Sequence, residues 1–213
     1  MRKLELSTGD RFLDCPCGIG RISLPLARKG IAVTAVDNEP SYIQELEQRA
    51  GRASLPITTV LADMRQIEFR SRFKAAANLW TSFGYFEREA DDLLVLRRVF
   101  RSLRRGGRFV LQTINRDFLI AHWQQSNWEE VGDLTILQRH SLDYRTSRLS
   151  STWTFLKDGQ TRAREIPLRL YSYHELVDMF ERVGFVDIEG FGSTDDAPVD
   201  CNCRVLWVFG VKP

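Results

Sequence analysis

The residues best suited to chemistry lie near the start of the chain. Phe12-Leu13-Asp14-Cys15-Pro16-Cys17-Gly18-Ile19-Gly20-Arg21 reads as an apolar strand running into a helix through a glycine-containing turn. Such a turn lets a ligand approach the backbone closely and aims helix N-terminal amides at a carboxylate or phosphate. Seventeen residues beyond Gly20 a second apolar run ends in Asp37. An acidic side chain there can accept hydrogen bonds from ribose hydroxyls, the logic of doubly wound nucleotide-binding folds. Gly18-Ile19-Gly20-Arg21-Ile22-Ser23 nearly satisfies G-x-G-x-x-G/A, with Ser in the last place. At this point NAD and an oxidoreductase therefore remain an open alternative.

The next two strand ends narrow the choice. The third ends in Leu61-Ala62-Asp63-Met64, and the fourth runs into Asn78-Leu79-Trp80-Thr81-Ser82-Phe83-Gly84-Tyr85-Phe86. With these residues the chain resembles the class I S-adenosylmethionine-dependent methyltransferases, in particular the bacterial group with L-D-x-P-C-G-x-G-R and N-L-x-T-S-F-G-Y-F patterns. The resemblance covers roughly residues 10–115, and the helix–strand–strand tail from Ser172 fits it. Pro16 stands where the family's common G-x-G-x-G has its first glycine. The resemblance implies a Rossmann-like α/β fold with a doubly wound seven-stranded sheet, mostly parallel with its last strand antiparallel. It also implies S-adenosylmethionine as cofactor and S-adenosylhomocysteine as product. Asp14, Pro16, Cys17, Gly18 and Gly20 would line the methionine moiety. Asp37 would bind the ribose, with Asn38 beside the adenine. Asp63 would contact the adenine amino group and Met64 would pack on the ring. Asn78 and Leu79 would lie beneath the sulfonium.

Methyl transfer is an in-line displacement at a sulfonium carbon, in which the cofactor carries the reactivity and the protein supplies position and dryness. A base adds about 10²–10⁴-fold where the nucleophile must lose a proton. The candidates are Tyr85, just beyond the fourth strand, and His140, in a later alternating run. Arg169 and Tyr171 precede a capped helix and are candidates to hold an anionic small-molecule acceptor. Trp123, Trp128, Trp153 and Tyr144 could wall an apolar substrate, although a packed sheet needs such residues anyway. His122 and His174 read as helical and exposed and receive no role. A cofactor-binding partner subunit with little catalysis is the main competing reading.

The elements that position these residues follow from periodicity. Strands are expected at 11–15, 31–36, 57–61, 75–79 and 108–114, alternating with helical patterns, which is the signature of a parallel sheet with crossover helices. Pro40 suits a first helical position, Ile43, Leu46 and Ala50 share a face, and Gly51 is read as the stop. A helix over 87–104 carries acid first and arginine last, as the helix dipole favours by about 0.3–1 kcal/mol per charge. That placement reads the arginines at 97, 98, 101, 104, 105 and 108 as a solvated face. Pro25 breaks the expected first helix, 19–29, so this helix begins late or kinks. Residues 128–171 read as an inserted antiparallel sheet of three runs. Asp158-Gly159 is its hairpin turn and Pro167 lies in an edge strand. Ser172-Tyr173-His174-Glu175 is a capping box, and strands follow near 185–191 and 205–211.

The chain has 213 residues, 43% hydrophobic and 27% charged, which is one ordinary globular domain spanning 1–213. A net charge of +2 disfavours nucleic acid, although 25 of the 30 basic residues are arginine. Four cysteines form the pairs Cys15/Cys17 and Cys201/Cys203, each separated by one residue. Structural zinc sites space their ligands by two to four residues, so reduced thiols and no metal are expected. No signal peptide or membrane span is read, and a cytoplasmic location follows by default. Ten residues precede the first expected strand, where relatives usually carry capping helices. The insert, a homo-oligomer partner or a large substrate is therefore expected to cover the site.

Overall fold

The structure, a computed structural model, describes residues 2–213. A 3-10 turn, Arg2–Leu4, leads into β1 (Arg11–Asp14), α1 (Ser23–Arg28), β2 (Ala32–Asp37) and α2 (Pro40–Arg52). Then come β3 (Ile57–Leu61), β4 (Phe73–Asn78), α3 (Glu89–Ser102), β5 (Leu103–Ile114) and α4 (Arg116–Ala121). Strands β6 (Ser126–Val131), β7 (Leu134–Asp143), β8 (Arg148–Lys157) and β9 (Gln160–Arg169) precede α5 (Tyr173–Val183), β10 (Val186–Phe191) and β11 (Val205–Val211). The seven-stranded sheet has the order β10-β11-β5-β4-β1-β2-β3. Only β11 runs against its neighbours, pairing antiparallel with both β5 and β10. This is the expected doubly wound sheet with its last strand reversed.

Both faces of the sheet are covered, as a parallel sheet requires. Alternation sends Phe12 to one side, with Leu24, Val33 and Leu46, and Leu13 to the other, with Leu96, Phe109 and Phe180. Helix α1 begins late, at Ser23, so Pro25 sits in its first turn, where an N–H has no intrahelical acceptor in any case. Helix α2 has Pro40 at its first position, as expected, but runs through Gly51 to Arg52. Helix α3 stops at Ser102 rather than 104, because Leu103 already pairs with Phe73 in the sheet. That pairing also starts β5 five residues earlier than expected.

The second sheet is an antiparallel meander in the order β6-β7-β8-β9. Asp158 and Gly159 both take positive φ, +50° and +71°, as a two-residue hairpin turn of this hand requires. Pro167 lies on the edge strand β9. The three expected strands are joined by a fourth, β6, all of whose residues are exposed. Hydrogen bonds tie this sheet to the loop after β4: Arg169 N–H donates to Gly84 O at 2.7 Å, and the Arg148 guanidinium reaches Phe86 O at 3.1 Å and also Glu87 O. A Cβ on Gly84 would strike the Arg169 carbonyl, so glycine is what allows this close approach.

Candidate active site

Parallel strands place their C-terminal ends on one rim of the sheet, and the strand order reverses between β1 and β4. Ligands of open α/β sheets bind in the crevice at such a switch point. Here the rim carries Asp14 at the end of β1, Asp37 at the end of β2, Asp63 just past β3 and Asn78 at the end of β4.

The turn after β1, which contains Pro16 and Cys17, is held against β2. Cys17 N–H donates to Val36 O at 2.8 Å, and Gly18 N–H donates to Asp37 Oδ2 at 2.8 Å. The other carboxylate oxygen of Asp37 accepts from Glu39 N–H at 3.0 Å, and Asn38 between them is exposed. The two glycines of the turn differ. A Cβ on Gly20 would overlap the Leu46 side chain, so Gly20 is required by packing, whereas a Cβ on Gly18 would meet nothing. Asp14 is buried and accepts from Ser23 Oγ at 2.6 Å; burial pushes its carboxyl up to about 7. Burial also pushes up the thiols of Cys15 and Cys17, as fits reduced, unreactive side chains. Cys201 and Cys203 lie on the loop before β11. Among the described residues no three His, Cys, Asp or Glu side chains converge as metal ligands.

Asp63 accepts from both the backbone and the guanidinium of Arg65, at 2.8 and 2.6 Å, which holds its carboxyl below its ordinary value. Asn78 is fully buried, with its amide nitrogen 3.7 Å from the Met64 sulfur and its amide oxygen without a partner. Leu79 is buried beside it. A buried acceptor left unpaired costs about 1–3 kcal/mol, which a ligand can relieve. The carboxylates of Asp37 and Asp63 and the orphaned amide oxygen of Asn78 are acceptors, and Asp14 adds another when ionised. The residues present therefore fit a ligand rich in donors, such as ribose hydroxyls, an adenine amino group and an α-ammonium.

Beyond Asn78 the chain turns sharply. Trp80 and Thr81 take left-handed φ values of +63° and +55°, and Gln112 holds them. Its side-chain oxygen accepts from Trp80 N–H at 2.5 Å and its carbonyl from Thr81 N–H at 3.2 Å. Gln112 had no expected role. Its signal is a polar residue inside the apolar run Val110-Leu111-Gln112.

Thr81 opens a cleft of about 600 Å³ between the loop after β4, α4 and the inner face of the second sheet. Tyr85 and His140 both line it, and so do Trp123 and Trp153. His122, expected to be idle, lines it as well, stacked on Phe118 at 4.2 Å. Period-two alternation explains the wall: Gln138 and His140 of β7 and Leu149, Ser151 and Trp153 of β8 share one face. The opposite face of the sheet carries another hollow, with Trp128 and Arg139, so Trp128 lies outside the cleft. Tyr144 is exposed and does not line it either. His140 Nδ1 lies 2.8 Å from Ser151 Oγ, directly across the β7–β8 ladder, and burial lowers its pKa. Desolvation raises the Tyr85 phenol, so it stays protonated near neutrality and suits a donor rather than a base.

The expected acceptor contacts at Arg169 and Tyr171 need correction, because neither residue lines the cleft. The Arg169 guanidinium pairs with Glu175, lies over the Tyr171 ring and leaves its side chain only 12% exposed. Tyr171 is buried with its hydroxyl on Asp92. Glu175 in turn accepts from Ser172 N–H at 2.8 Å and Ser172 Oγ at 2.7 Å, the expected cap of α5. The arginine-rich face is tied down locally, as in Arg98 to Arg65 O and Arg108 to Glu5.

A seven-stranded sheet of this order, with acceptor groups at its switch point and a cleft beside β4, defines a Rossmann-like fold of the class I methyltransferase type. Residues 12–107 match the family described as a methyltransferase domain, in line with the class read from the motifs. The YqeM protein of Bacillus subtilis (strain 168) is 34% identical over 112 residues, 52% of this chain and 44% of that one. The chain spans less than half the length of this relative and of a Talaromyces variabilis relative, 30% identical over 118 residues. In fold it is similar to the CcbJ methyltransferase from Streptomyces caelestis, with a TM-score of 0.87 at 19% identity over 98% of this chain and 86% of that one. It is also similar to CalS10 of Micromonospora echinaspora, an amino pentose methyltransferase solved with S-adenosylmethionine bound. That comparison has a TM-score of 0.69 at 18% identity, over 96% of this chain and 84% of that one. Among the described residues no helix is long and apolar enough to cross a membrane.

Proposed function

We propose that the protein moves a methyl group from S-adenosylmethionine to an O, N or C atom of a small-molecule acceptor. The observation that carries this reading is adjacency. The acceptor-rich crevice ends at Asn78, and the apolar cleft begins three residues later, at Thr81. When bound, the cofactor supplies an electrophilic methyl on its sulfonium. Asp37 holds the ribose, Asp63, Met64 and Asn38 hold the adenine, and Asp14 with the turn from Pro16 to Gly20 holds the methionine end. Asn78 and Leu79 floor the reacting centre. Tyr85 donates a hydrogen bond to the acceptor, and His140 is placed to take a proton. The second sheet walls one side of the cleft that receives the acceptor.

The methyltransferase-domain match over residues 12–107 favours this reading over the NAD alternative. The reading further includes a cytoplasmic location and no nucleic-acid acceptor, in keeping with a net charge of +2. Thermal unfolding with added nucleotide tests it. S-adenosylhomocysteine at about 100 times its Kd stabilises the fold by about 2.7 kcal/mol, and NAD leaves it unchanged. A shift with NAD and none with S-adenosylhomocysteine overturns the reading.

A further inference from the structure

We propose that the acceptor is an aromatic hydroxyl compound, neutral or carrying an acidic substituent, and that His140 takes the hydroxyl proton. This rests on the methyltransferase reading and names the substrate of that same cleft.

The walls argue first. Trp123, Trp153 and Phe118 line the cleft over a floor of Leu149 and Leu168. Flat apolar walls favour a planar ring, which gains from stacked or edge-on contact. The charges argue next. No carboxylate and no lysine are among the lining residues, and Arg204 is the one permanently charged group. A protonated amine entering this cleft finds no counter-ion and no carboxylate to deprotonate it, and burying it unpaired is costly. A carboxylate on the ring, in contrast, finds Arg204.

His140 supplies the third argument. In the tautomer this role requires, Nδ1–H donates to Ser151 Oγ, 2.8 Å away, and Nε2 carries the accepting lone pair. Its burial keeps the ring neutral near pH 7. The other titratable or charged groups facing the cleft are Tyr85 from the loop after β4, His122 after α4 and Arg204 before β11. Arg164, on the same face of β9 by alternation, acts on Tyr85 and on Glu39. In the step itself, the acceptor oxygen forms its bond to the methyl carbon as the carbon–sulfur bond breaks. The sulfur keeps that electron pair, and the hydroxyl proton passes to His140 Nε2 and on to solvent.

The test is calorimetric titration of the protein saturated with S-adenosylhomocysteine, using 3,4-dihydroxybenzoate and D-glucosamine as probes. The expected result is saturable binding of the benzoate and none of the amino sugar. Trp153→Ala weakens benzoate binding by about tenfold while leaving S-adenosylhomocysteine binding intact, and Trp153→Phe restores most of the loss. His140→Gln retains both affinities, lowers kcat with the benzoate by about 10²-fold or more, and removes the low-pH limb of kcat/KM. Binding of S-adenosylhomocysteine without binding of the benzoate overturns this inference alone. So does glucosamine binding, an unchanged Trp153→Ala affinity, or a surviving low-pH limb in His140→Gln. Failure of S-adenosylhomocysteine to bind overturns the methyltransferase reading beneath it.

Discussion

The Tyr171 hydroxyl donates to Asp92 Oδ2 at 2.7 Å, and Asp92 Oδ1 accepts from Gly84 N–H at 3.2 Å. One buried carboxylate on α3 therefore joins the end of the second sheet to the loop that carries Tyr85. Phe83 completes the junction, its ring 5.4 Å from that of Tyr171. This makes Tyr171 a structural tie between the second sheet and the loop after β4. Tyr171→Phe keeps the ring and removes the donor, so urea unfolding should show a loss of about 1–3 kcal/mol. Acceptor affinity should change little. An unchanged unfolding midpoint contradicts this account of the junction.

The two buried acids set a pH dependence. Burial raises the carboxyls of Asp14 and Asp92 to about 7 and about 6 when folded, against an ordinary value of 3.8. Between about pH 4 and pH 7 the unfolded chain releases protons that the folded chain keeps. Stability contributed by these groups is thus fully present below about pH 4 and lost as pH rises through about 6 and 7. The slope is at most about 1.4 kcal/mol per pH unit for each group. Asp63 and Glu175, held low, act in the opposite direction at more acid pH. Asp14→Asn retains an acceptor for Ser23 and cannot ionise. Its stability relative to the wild type should rise from pH 5 to about pH 8, measured by denaturation at each pH. A pH-independent difference would show that Asp14 is ionised throughout.

The two turn glycines should separate packing from binding. Gly20→Ala forces a left-handed φ of +81° and a clash with Leu46, and is expected to cost about 1–3 kcal/mol or more. Gly18→Ala has φ +51° and open space, so its cost in stability should be only about 1 kcal/mol. Its methyl projects where a ligand would approach the turn. Gly18→Ala is therefore expected to weaken S-adenosylhomocysteine binding by more than it lowers Tm, measured by calorimetry and thermal unfolding of the same samples. Equal and small effects of both substitutions would contradict the distinction.

The sheet was legible because its signals are local. Apolar runs of four to six residues ending in Asp14, Asp37 and Asn78 are buried strands with a polar end, and nothing in the packing overrides them. The alternation that exposed β7 and β8 also identified the cleft wall, since Gln138, His140, Ser151 and Trp153 share one parity. Strand β6 escaped because it buries neither face and so has no alternation to read. Arg169 and Tyr171 misled for a different reason. A basic residue and a phenol before a capped helix suit an acceptor as well as they suit an ion pair and a buried hydrogen bond. Only the tertiary partners, Glu175 and Asp92, decide between the two. His122 and Gln112 depend likewise on neighbours distant in sequence.

The central claim is that the crevice over β1, β2 and β4 holds the nucleoside of S-adenosylmethionine through Asp37. Isothermal calorimetry of S-adenosylhomocysteine with the wild type and Asp37→Ala, paired with their thermal unfolding curves, tests it most directly. The account predicts one-site binding to the wild type and a loss of about 2–3 kcal/mol or more of binding energy in a folded Asp37→Ala. Equal binding by both proteins, or none by the folded wild type, would contradict it.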